Sequence, residues 1–127
     1  MIEVIDEHHL RVGDRTWFGQ FWSDDYNIDS EHEWKLRQFI VRFESKWSVS
    51  IVWGYATYSD NHELPWGGPG YWFNESPERV EAAVLHADRE KMQGDDPFAY
   101  IDAEQLNALL YHVSQLHTED HFHSDRT

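Results

Sequence analysis

Cysteine is absent from this chain, so a disulfide framework, a thiol nucleophile and a thiolate metal site are all excluded. Lysine is scarce: Lys35, Lys46 and Lys91 are the only three among ten basic residues. Set against 24 acids, they leave a formal net charge of −14. A surface of that sign repels nucleic acid, whose phosphates are contacted by Lys and Arg, and repels anionic membranes for the same reason. Long apolar runs are missing too, and nothing approaches the ~20 residues of a membrane-spanning helix. The opening residues, MIEVIDEHH, lack the apolar stretch of a secretion signal. No repeat, low-complexity tract or linker divides the chain. The expectation is a cytoplasmic protein of 127 residues in one domain, with residues 117–127 as a flexible polar tail.

Aromatic residues are plentiful. Seven Trp, six Tyr and seven Phe can build a core, since each buried aromatic removes ~150–250 Å² from water. The stretch from Gln38 to Asn61 organises them. Trp47, Val49, Ile51, Trp53 and Tyr55 alternate with Ser48, Ser50 and Gly54, Val52 being the apolar exception. Upstream, Phe39, Val41 and Phe43 alternate with Arg42 and Glu44. Period-two patterning of this kind marks strands with one buried face. Partners across a hairpin have position numbers of constant sum. A loop of Glu44, Ser45 and Lys46 therefore sets Phe43 opposite Trp47 and lets the aromatic faces coincide, whereas a two-residue loop would split them.

Elsewhere Ile2 and Val4 suggest an edge strand, and Leu10 and Val12 another, closed by a Gly13-Asp14 turn. Trp17, Phe18, Phe21 and Trp22 cluster around Gly19. Ser23 to Asn27 reads as polar loop. Asp29 or Ser30 can cap a short helix over about Ser30–Gln38, with Glu31 and Glu33 in its first turn. Ser59-Asp60-Asn61 has turn chemistry. His62 to Gly70, with Pro65, Gly67, Gly68 and Pro69, reads as an exposed loop carrying Trp66. Arg79–Ala87 fits either helical or strand spacing, Asp88 to Gly94 resembles a hairpin loop, and Pro97 to Ile101 is a short strand. Asp102 caps the clearest element, a helix over about Ala103–Leu116 with Leu106, Leu109, Leu110, Val113 and Leu116 on one stripe. The fold class is α+β: an antiparallel sheet around the central hairpin, packed by the C-terminal amphipathic helix.

Trp53-Gly54 and Tyr58-Ser59-Asp60-Asn61, within WSVSIVWGYATYSDN and followed by FNESPERVEAAVL and a terminal helix, carry a resemblance. The segment resembles small uncharacterised bacteriophage and prophage proteins in which an aromatic-x-Val-Ser strand leads to an aromatic-Gly-x-x-x-Tyr-x-Asp-Asn turn. The likeness covers roughly Arg42 to Leu116. It implies a strand, not a helix, at about Arg79–Ala87, and it implies an accessory phage product, for which inhibition of a host protein is a natural role. No activity attaches to that group, so no functional residue transfers.

Nine histidines invite a metal reading, with His117, His121 and His123 as its weak candidates among the acids of the tail. A specific metal site needs a rigid scaffold and supporting hydrogen bonds, which a tail does not supply, so no metal or cofactor is expected. Paired acids such as Asp24-Asp25 and Asp95-Asp96 have no partner base at a telling spacing. Ser48 and Ser50 lack a nucleophile-elbow signature, and Gly67-Gly68-Pro69-Gly70 lacks the Lys and helix start of a phosphate loop. Recognition is the better reading, and the expected partner-binding residues are Asp24, Asp25, Asp29, Glu31, Glu33, Trp66, Tyr71, Asp95 and Asp96. If the acids gather on one face, they can stand in for duplex phosphates in a basic groove. Trp66 and Tyr71 suit an interface anchor, the alternative being that they fold back as a lid on the hairpin. The leading expectation is a non-enzymatic, phage-encoded inhibitor of a basic host protein, such as a nuclease or DNA-binding defence enzyme. Immunity against a cognate toxin and a histidine-based metalloenzyme are the alternatives.

Overall fold

The computed structural model describes residues 1–29, 32–54, 57, 59–60 and 77–122, with the backbone alone for 22–29, 32–36 and 95–96. Among the described residues, two antiparallel sheets and one helix make an α+β fold. A small sheet comprises β1 (Ile2–Asp6), β2 (His9–Val12) and β3 (Arg15–Phe18), in that order. The larger sheet comprises β4 (Gln20–Asp29), β5 (His32–Arg42), β6 (Trp47–Gly54), β7 (Val80–His86) and β8 (Gln93–Ile101), also in chain order. The helix α1 (Ala103–Ser114) follows. No helix among the described residues is long and apolar enough to cross a membrane.

The central hairpin has the expected register. Phe39 pairs with Ile51 and Val41 with Val49, and the Phe43 N–H donates to Trp47 O at 2.9 Å. Glu44, Ser45 and Lys46 form the loop, with Lys46 in the left-handed region at φ 76°, the usual conformation closing a three-residue hairpin. β7 continues the same rows, with Val84 opposite Val49 and Ala82 opposite Ile51. Phe39, Val41, Trp47, Val49, Ile51, Trp53, Val80, Ala82 and Val84 are all buried.

α1 covers this face. Asp102 accepts from the Gln105 N–H at 2.9 Å, and the Gln105 side chain accepts from the Asp102 N–H at 2.9 Å, the reciprocal capping box. Leu106, Leu109, Leu110 and Val113 are buried in the core that Ile2, Leu10 and Val12 of the small sheet also enter. Each such side chain contributes ~1.5–3 kcal/mol before ordering entropy is set against it. Asn107 locks helix to small sheet: it accepts from the Trp17 indole N–H at 2.8 Å and donates to Val12 O.

Two secondary-structure expectations are corrected. The helix over Ser30–Gln38 is instead the strand β5 from His32, paired with β4 on one side and β6 on the other. Ser23 to Asn27 is not loop but the middle of β4. In both places a neighbouring strand supplies the main-chain partners that local sequence does not. Residues 117–122, expected to fray, are tied to the sheet. His117 O accepts from the Trp47 indole N–H at 2.8 Å, Asp120 O accepts from Arg89 at 2.9 Å, and Phe122 is buried beside Phe98 and His112.

Candidate functional site

The sheet distributes the expected recognition residues between its two edges. Asp24, Asp25 and Asp29 lie on β4, one outer strand, and Glu33 lies on the neighbouring β5 opposite Asn27. Asp95 and Asp96 lie on β8, the other outer strand, rather than in a loop. Four inter-strand steps of ~4.8 Å separate these edges by ~19 Å. The acids therefore form two edge groups, not a single cluster. Glu31, Trp66, Tyr71 and His123, and the loop expected at 62–70, lie outside the described residues.

β4 is polar where an edge strand tolerates polarity. Charged residues on an outer strand discourage indiscriminate pairing with other chains. Its start is held by apolar contacts: Phe21 packs against Phe39 with ring centroids 4.4 Å apart and against the Trp53 ring at 6.0 Å. Gly19 permits the approach. A methyl group there would collide with Ile40 O and come within 2.8 Å of the Phe39 ring.

Histidine placement bears on the metal reading. His117 and Asp120 close a small turn, the His117 N–H donating to Asp120 Oδ2 at 2.7 Å and the Asp120 N–H to His117 O at 3.0 Å. His121 is exposed. Among the described residues no group of three or more His, Asp or Glu side chains is placed to hold a metal ion. His86 is 4% exposed and lies edge-on to Trp47. Its Nδ1 accepts from the Asp88 N–H at 3.1 Å, which leaves Nε2 to donate to Thr118 O at 2.8 Å. Both ring nitrogens are thereby committed to cohesion.

A concavity unsuspected from the sequence opens between the β5–β6 and β7–β8 turns. It encloses about 510 Å³ and is lined by Arg42, Glu44, Lys46, Ser48, Arg89 and Glu90, among others. Its cations have internal work. Lys46 donates to Asp88 Oδ2 at 2.7 Å, and the Arg89 guanidinium lies 5.1 Å above the Trp47 ring. The Lys46 ammonium holds the Asp88 carboxyl below the usual range. The His8 backbone N–H does the same for Asp6, helped by the His9 ring. Phe18 is 67% exposed, stacked on His8 at 5.7 Å.

The chain matches no family model, no curated protein and no solved structure.

Proposed function

We propose that this chain is a non-enzymatic acidic binding protein, phage-encoded, that inhibits a basic host protein such as a nucleic-acid-targeting defence enzyme. One observation carries the reading: an outer strand bearing Asp24, Asp25 and Asp29, with Glu33 alongside, on a chain of net charge −14. A long edge flanked by fixed negative charge attracts a cationic surface, speeds its encounter and rejects anionic competitors. The phage origin rests on the motif around Trp53-Gly54 and Tyr58-Ser59-Asp60-Asn61. The commitment of both His86 ring nitrogens and of the Asp120 carboxylate to internal hydrogen bonds favours binding over catalysis.

The test uses the protein as bait in host lysate, beside an Asp24→Asn/Asp25→Asn/Asp29→Asn variant. The wild type should retain a protein of pI above about 9, and the variant should retain it at least tenfold less. Equal retention by the variant removes β4 from the interface. Retention of acidic proteins only contradicts the reading as a whole.

A further inference from the structure

Two observations agree on which main-chain groups line the outer edge of β4. The Gly19 N–H donates to His8 O at 3.0 Å and the Phe21 N–H to Glu7 O at 3.2 Å, so both residues direct their amides away from β5. In an antiparallel strand the N–H and C=O of one residue point the same way, and the direction alternates along the chain. The second observation comes from the far side of β5. The Phe43 N–H bonds Trp47 O, so the odd-numbered residues of β5 bond β6 and the even-numbered ones bond β4. The β4 partners of even positions are themselves even: Gln20 with Ile40, Trp22 with Gln38, Asp24 with Leu36. Ser23, Asp25 and Asn27 therefore turn their main chain outward.

The two edges differ in receptiveness. β8 carries Pro97, which has no N–H, and its register against β7 shifts twice. Proline and bulges are the standard means of blunting an edge. β4 runs in unbroken register from Gln20 to Asn27. The β1–β2 turn already lies along its first residues through Glu7 and His8. From Ser23 the same row continues for ~13 Å, at ~3.3 Å per residue, and among the described residues β4 ends the strand order of its sheet.

The geometry points to strand addition: the Ser23–Asn27 edge of β4 takes up an extended, Lys- or Arg-rich segment of the partner as a sixth strand. Main-chain bonds supply affinity in this mode, and the charge of Asp24, Asp25 and Asp29 selects the sign of the guest. A second copy of this chain is the wrong occupant, because edge-to-edge pairing would set these aspartates against their own counterparts. The inference rests on the acidic-binding reading above and supplies its mode.

A blocked decapeptide alternating Lys and Val is the probe, compared with the same peptide N-methylated at every second residue. Binding is measured by calorimetry at low salt, with amide hydrogen exchange at Ser23, Asp25 and Asn27. The unmethylated peptide should bind at least tenfold tighter and protect those three amides. Ser23→Pro and Asn27→Pro remove outward N–H groups, spare the bonds to β5, and should each weaken it tenfold or more. Equal affinity for both peptides with no added protection overturns strand addition, while leaving charge-driven binding in place. Failure of both peptides to bind the wild type overturns both readings. The exchange measurement decides the matter even where a proline variant does not fold.

Discussion

Gly19 stands where the chain passes from the small sheet into the larger one. Its missing side chain lets Ile40 O and the Phe39 ring close against the backbone. Gly19→Ala should therefore destabilise by ~1–3 kcal/mol, the range for overpacking a site that cannot readily give way. A lowered urea midpoint checks this, and an unchanged midpoint would show the contact to be loose. Asp88 offers a second test. Its carboxyl is held low chiefly by Lys46, so its contribution is complete above the ordinary aspartate pKa of ~3.9 and is lost as pH falls through the folded value. Asp6 acts in the same direction through His8 and His9. The stability gap between wild type and Asp88→Asn should be small at pH 7 and should close in stronger acid. A gap that widens in acid would contradict the pairing.

At the scale of elements, the tail is where sequence and structure part most usefully. Polar composition predicts fraying, yet three side chains of β6, β7 and the turn after it donate to carbonyls of residues 117, 118 and 120. Deleting residues 117–127 would orphan those donors and expose the pocket of Phe122. Orphaned buried donors cost ~1–3 kcal/mol each, so a loss on the order of 3–5 kcal/mol is expected. Thermal melting of the truncated chain measures it, and an unchanged Tm would restore the frayed-tail reading. The tie was not legible because its acceptors are backbone carbonyls, which every residue has. The hairpin was legible, because Phe39, Val41, Trp47, Val49 and Ile51 leave a single register that buries them together. The capped helix was legible for an equally local reason, Asp102 three residues before Gln105. β5 misled because Asp29, Ser30, Glu31 and Glu33 imitate a helix start. The competing alternation of Trp34 and Leu36 with Glu33, Lys35 and Arg37 gains its meaning only from β4 and β6 on either side. β4 itself, at Ser23–Asn27, has almost no apolar pattern to read. Its acids stand out by composition, but their place on an outer strand is a non-local fact.

The whole molecule sets an aromatic core against a strongly negative exterior. Cohesion falls to Trp47, His86, Asn107 and their neighbours, and we propose that recognition falls to the charge carried at the sheet's edge. The most direct test is the dissociation constant of the captured partner, measured as ionic strength rises from about 0.05 M to 0.5 M, over which the screening length falls from ~14 to ~4 Å. The account predicts binding at least tenfold weaker at the high end, with the Asp24→Asn/Asp25→Asn/Asp29→Asn variant showing a shallower dependence. An affinity indifferent to salt in both proteins would contradict it.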